Sequence, residues 1–237
     1  MNGKLIDGLM MYLAFVIFVG LHEFAHAWMA VRCGDETPRQ QGRLTLNLAA
    51  HMDLIGTVIL PLVVTLLSAM SGGWMLLGWG KPVQVNLDNF KQRQRDDILV
   101  SAAGPAMNLL TAFAVLAVTK LLEVAGVPAF LDTGLNLARL SLFLCFFNLL
   151  PIPPLDGGHI VRNMMGISDE AYAMLSAYSF MFFMLIMRVP FIGVMVRAVT
   201  DVFLVLMIWP FGWQLATYSL REPPHLRAAG GKQLGLL

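Results

Sequence analysis

The sequence has 237 residues, 57% of them hydrophobic and only 13% charged, with a mean hydropathy of +0.69. Soluble domains run about 45–50% apolar and about 25% charged, so this composition excludes an ordinary soluble domain and predicts an integral membrane protein. A net charge of +1 gives no sign of a nucleic-acid partner, and the two cysteines, Cys33 and Cys145, imply no disulfide framework.

The first apolar run, about Leu9 to Val31, is too long for a signal peptide and no small-residue cleavage site follows it. It reads as a retained membrane span. A polar stretch follows, and then "GRLTLNLAAHMD", in which Leu44, Leu46 and Leu48 alternate with Arg43, Thr45 and Asn47. That alternation is the period-2 signature of a strand. A long apolar segment covers Leu54 to Trp79, interrupted at Ser71–Gly73, after which "KPVQVNL" alternates again with Val83, Val85 and Leu87 on one face. Further spans are predicted at about Ile98–Leu122, Asn136–Leu150, Ala171–Met187 and Phe191–Leu215. Trp74, Trp79, Trp209 and Trp213 fit anchoring at the membrane interface. The expected fold is mainly α: a polytopic transmembrane helical bundle of about five to six membrane segments with a small interfacial β element. One membrane-embedded domain is expected over residues 1–220, followed by a polar tail at 221–237.

The first span carries chemistry. "FVGLHEFAHAW" places His22, Glu23 and His26 inside an apolar helix, where an ionisable group costs about 2.5–3.5 kcal/mol near the bilayer centre. Something must compensate. His22 and His26 share one helix face, and two imidazoles at that spacing can bind one metal ion. Glu23, beside the first ligand, can serve as general base toward a metal-bound water, which is the H-E-x-x-H arrangement of zinc hydrolases. Zinc wants a third protein ligand. Asp156 in "NLLPIPPLDGGH" is the best candidate, because Pro151, Pro153 and Pro154 break the preceding helix and Gly157 and Gly158 permit a turn. By spacing alone, a plain turn aspartate before Gly-Gly explains it equally well.

With these motifs on the page, the chain resembles the site-2 protease family of intramembrane zinc metalloproteases. "HEFAH" resembles the family's first motif and "NLLPIPPLDGG" its second. "GRLTLN", "HMDLIGT", "GWGKPVQVN" and "AAGPAMNLL" resemble its compact subgroup, which lacks PDZ and CBS domains. The likeness covers most of Leu9 to His159. It implies His22, His26 and Asp156 as ligands of one zinc ion, Glu23 as base, and Asn148 as a residue that holds or polarises the substrate. It also implies a substrate that is another protein's transmembrane helix in a lipid bilayer, and leaves room for a regulatory membrane partner.

A bound zinc would lower the pKa of its water to about 7. Asn148 has two open roles, a hydrogen bond to a developing oxyanion or an ordinary interhelical bond. Because a helix hides its peptide bonds, the substrate must unwind locally, and backbone pairing with an exposed strand would hold it extended. The candidate edge is Arg43, Leu44, Thr45, Leu46, Asn47 and Leu48; the same residues are equally able to pair with Val83–Leu87 in a small sheet. Asn108 is expected to bridge helices, His51 to lie at a surface or helix end, His159 to be structural, and Arg197 to pair with Asp201. The alternative to an enzyme is a non-proteolytic metal-binding membrane protein or transporter. In a transporter, acids and histidines should spread along a path rather than converge.

Charge and chemistry together predict topology. Arg32, Arg39 and Arg43 follow the first span, and Lys81, Lys91, Arg93 and Arg95 follow Leu54–Trp79. Both loops are expected to be cytoplasmic, and Asp156 meets the histidines only if both ends face one side. Leu54–Trp79 is therefore expected to enter the membrane and return, bending near Ser71–Gly73. This puts the N-terminus outside and the site near the cytoplasmic face of a prokaryotic cytoplasmic membrane.

Overall fold

A computed structural model describes residues 2–71, 78–178 and 190–213 of the chain. The described part is mainly helical. Helix α1 (Asn2–Cys33) is followed by a short α2 (Thr37–Gln40). A π-helical turn at Leu54–Ile59 leads into α3 (Leu60–Ser71). Then come α4 (Arg93–Val124), α5 (Leu131–Asn148), α6 (Asp156–Met165), α7 (Asp169–Ala177) and α8 (Pro190–Ile208). Among the described residues, four segments are long and apolar enough to cross a membrane: Ile6–Cys33, Arg93–Val124, Pro128–Asn148 and Gly193–Phe211. The predicted span at Ala171–Met187 begins in α7, and its residues 179–187 lie outside the described part, as do Trp74 and the tail at 221–237.

Helix α4 is the hub. It packs against α1, α5 and α6. On one side, Ala112 and Leu116 of α4 meet Leu135, Ala138 and Leu142 of α5 and Leu204 of α8. On the other side, α1 buries Phe15, Phe18 and Val19, with Leu140 of α5 closing that cluster. Small residues at these contacts allow close backbone approach, which matters in lipid because hydrocarbon already solvates apolar side chains. Near the C-terminal end of α1, Ala30 and Cys33 pack on Phe90 and Val100. The C-terminal half of α1, the N-terminal turns of α4 and the helix that follows α5 thus come together at one end of the bundle.

Between α1 and α4 the chain makes an excursion and comes back. The Trp79 N–H donates to the Gly56 carbonyl at 3.0 Å, and the Thr57 hydroxyl donates to the Trp79 carbonyl at 2.7 Å. The Lys81 N–H reaches the His51 carbonyl at 2.9 Å. The two ends of Leu54–Trp79 therefore lie side by side, as an entering and returning segment requires. Of the expected bend, only Ser71 lies within the described residues.

The expected β element is not present among the described residues. Arg43–Asn47 is a bent segment leading into a 3-10 turn at Leu48, and Lys81–Asn86 carries no strand pairing. The reason is where the polar groups go. The Arg43 guanidinium is buried and donates to the carbonyls of Ala50 and Lys81. The Thr45 carbonyl takes His51 Nε2 at 2.8 Å, the Asn47 N–H turns back to the Thr45 hydroxyl, and Asn47 caps the 3-10 turn Leu48–His51. In the other segment, the Val83 N–H donates to Glu23 and the Asn86 N–H to Asp35. Side chains have taken the groups a ladder would need. Leu44 is half-buried, Leu46 is exposed, and Leu48 packs on Gly20 of α1. Arg43–Leu48 is thus no ready edge strand for substrate.

Of the two places expected for His51, the helix end holds and the surface does not: it is buried and closes the 3-10 turn Leu48–His51. One further expectation is corrected. Asp201 pairs with Arg139 of α5, Nε to Oδ1 at 3.0 Å, instead of with Arg197 one turn back.

Candidate active site

His22 and His26 sit on the inward face of α1, both buried, with their Nε2 atoms 3.0 Å apart. Asp156 is the first residue of α6, reached through the turns that follow α5. Its Oδ2 lies 3.2 Å from His22 Nε2 and its Oδ1 3.4 Å from His26 Nε2. Gly157 and Gly158 belong to the first turn of α6 rather than to a free turn. A Cβ on Gly157 would run into the Leu149 and Leu150 carbonyls, so glycine here lets α6 start hard against the end of α5.

These three residues fit a metal ion. Zinc bonds of about 2.0–2.1 Å at tetrahedral angles put neighbouring ligand atoms about 3.3 Å apart. His22 Nε2 lies 3.0 Å from His26 Nε2 and 3.2 Å from Asp156 Oδ2, close to that value, and the other carboxylate oxygen lies 3.4 Å from His26 Nε2. Asp156 Oδ2 is buried and, apart from the His22 ring, has no polar partner, as befits an oxygen kept for another acceptor of its lone pair. His26 Nδ1 lies 2.7 Å from the Val100 carbonyl, which can only accept; its Nε2 therefore keeps a lone pair. Gly104 of α4 faces both rings, and a Cβ there would collide with them. Among the described residues this is the one group of His, Cys, Asp or Glu that converges with metal-ligand spacing.

Glu23 points to the neighbouring side of α1. Its Oε2 accepts the Val83 N–H at 3.1 Å, and a Cβ on Gly80 would sit 3.2 Å from its Oε1. The extended segment after Trp79 thus lies across the carboxylate as a strap. Asn148 closes α5, and its Nδ2 donates to the Leu144 carbonyl one turn back at 2.9 Å. It takes no part in the hydrogen bonds described around the triad.

Three supports of the site were not anticipated as such. Val100 contributes only a carbonyl, which any residue type would supply. Asn108, expected to bridge helices, does so by placing its amide 3.0 Å from His22 Nδ1. Asp97 of α4 binds Arg162 and Asn163 of α6, both at 2.6 Å, and thereby anchors the helix that begins with Asp156. A charged residue at the start of an apolar span was the available signal for Asp97.

Two imidazoles and a carboxylate that converge on one point within an apolar helical bundle are the donor set of a membrane metalloprotease of the H-E-x-x-H type. The chain belongs to peptidase family M50, the site-2 protease family, whose model matches residues 10–136 and 126–187. It is 35% identical over 192 residues to "Putative zinc metalloprotease YwhC" of Bacillus subtilis, covering 77% of this chain and 82% of that protein. It is 30% identical over 227 residues to "Putative zinc metalloprotease Rip2" of Mycobacterium tuberculosis, covering 95% of this chain and 79% of that protein. The Rip2 protein of Mycolicibacterium smegmatis matches at 30% over 171 residues, 72% of this chain and 63% of that protein. No solved structure matches the chain.

Proposed function

We propose that the protein is an intramembrane zinc endopeptidase that hydrolyses a peptide bond in or near a transmembrane helix of another membrane protein. The observation that carries this reading is the convergence of His22, His26 and Asp156 at metal-ligand spacing inside the bundle. The relatives named as zinc metalloproteases support zinc as the ion. Bound zinc supplies Lewis acidity and acidifies a water to a pKa of about 7.

The chain's own residues do the rest. Glu23, next to the first ligand on α1, takes a proton from the attacking water and returns it to the leaving amine. Val83 holds one of its carboxylate oxygens through the backbone N–H, so the strap both orients the base and covers it. Substrate must enter beside the strap or shift it. Asn148 is assigned the hydrogen bond to the developing oxyanion, for which it must release the Leu144 carbonyl. The basic residues near the site, Arg32, Arg39, Lys91, Arg93 and Arg95 among them, favour a cytoplasmic position for this end of the bundle.

Proteomics of membrane-protein fragments tests the reading. Cells with Glu23→Gln protein should accumulate an intact membrane stub that wild-type cells clear. Identical fragment patterns in the two strains would contradict it.

A further inference from the structure

Each imidazole offers one nitrogen to the metal, and something must fix the other. For His26 it is the Val100 carbonyl. For His22 it is Asn108, whose amide lies 3.0 Å from Nδ1 and whose side chain is 1% exposed. Asn108 stands one turn past Gly104 on α4, in the run "AAGPAMN". As placed, its Nδ2 faces His22 while its Oδ1 is buried without a hydrogen-bond partner. The two ends of an amide are told apart by the bonds they make. If Nδ2 donates, His22 Nδ1 must accept, the proton sits on Nε2, and no lone pair faces His26 and Asp156. If the amide is turned over, Oδ1 accepts from Nδ1–H. That one rotation gives the oxygen a donor, puts the amide nitrogen in the unpartnered position instead, and leaves a lone pair on His22 Nε2, 3.2 Å from Asp156, where a metal ligand needs it.

We infer that Asn108 is the positioning residue for His22: its side-chain oxygen holds the Nδ1–H tautomer and the ring plane so that Nε2 faces the metal. The inference rests on the metal-site reading above. Asn108 touches neither zinc nor substrate and acts through His22. Its contact with α5 is separate, because the Ser141 hydroxyl donates to the Asn108 backbone carbonyl at 2.8 Å. A change of side chain leaves that bond in place.

The test uses the full chain in detergent, stripped of metal and titrated with zinc against a competing chelator, and with cobalt for its absorption spectrum. Asn108→Leu keeps the volume and loses the acceptor; Asn108→Asp keeps an acceptor oxygen. The leucine variant should bind zinc about 10–100-fold more weakly and show an altered cobalt spectrum, as expected when an outer partner of a ligand is removed. The aspartate variant should retain near-wild-type affinity and spectrum. Wild-type affinity in Asn108→Leu, or equal loss in both variants, would overturn the inference and leave Asn108 a packing residue. If the leucine variant does not fold, Asn108→Ala replaces it with the same expected contrast to Asn108→Asp. Wild-type protein that takes up no zinc would overturn the metal site itself, a result distinct from an indifferent Asn108→Leu.

Discussion

Asp97 and Arg162 form a buried ion pair, Oδ2 to Nη2 at 2.6 Å, between the first turns of α4 and the helix headed by Asp156. Asn163 adds a second bond to the same oxygen, and Arg162 also lies against the Tyr172 ring. This is the joint that fixes α6 to the helix carrying Val100, Gly104 and Asn108. Removing one partner leaves the other charge buried. Arg162→Met should cost about 3–5 kcal/mol of stability, and the double change with Asp97→Leu should recover much of it. Thermal unfolding measures the first effect. Zinc titration should show weaker binding in the single variant, since Asp156 loses its anchor.

Acid should loosen the connection behind α1. Asp35 lies just past that helix, fully buried, and accepts from the Thr37 hydroxyl at 2.6 Å, the Asn86 N–H at 2.8 Å and Asn89 Nδ2 at 2.7 Å. Burial alone would raise its carboxyl, but these hydrogen bonds hold it below the usual range. A carboxyl lowered in the folded state stabilises the fold above its unfolded pKa of about 3.9, and that contribution is lost as pH falls through the folded value. Thermal unfolding from neutral pH to about pH 3 should therefore show a steeper acid loss in wild type than in Asp35→Asn. At neutral pH the asparagine variant should be less stable by about 1–3 kcal/mol.

The returning segment has a consequence for labelling. The Lys91 N–H donates to the Cys33 carbonyl at 3.4 Å, so the loops after α1 and before α4 meet on one side. In a chain freed of Cys33 and Cys145, Glu36→Cys and Gln92→Cys should react with an impermeant thiol reagent from the same face of the membrane. Labelling from opposite faces would contradict the entering and returning path.

The pairing of His22 and His26, the proposed metal ligands on α1, was legible in the sequence because helical periodicity alone puts them on one face. Asp156 was only half legible. Its approach depends on how α6 is anchored to α4 by Asp97 and Arg162, residues far apart in the chain that no local pattern links. The strands failed for a related reason. Alternation at Arg43–Leu48 and Val83–Leu87 reports side-chain faces, but a ladder needs free backbone groups, and Glu23, Asp35, Arg43 and His51 had claimed them. Arg197 and Asp201 had suitable helical spacing, yet Asp201 turned to Arg139 on a neighbouring span. Asn108 was legible as a residue that bridges helices. That its partner is the His22 imidazole was not, because nothing local links α4 to that ring.

The central claim is that His22, His26 and Asp156 hold zinc while Glu23 acts on water without binding the metal. Metal content and cleavage measured side by side on purified Glu23→Gln, His22→Ala and Asp156→Ala protein test it most directly. Glu23→Gln should keep about one zinc per chain and lose turnover of a transmembrane-helix substrate by about 10²–10⁴-fold. The other two should lose both metal and cleavage. Glu23→Gln protein that cuts at the wild-type rate, or His22→Ala and Asp156→Ala proteins that keep full zinc, would contradict the account.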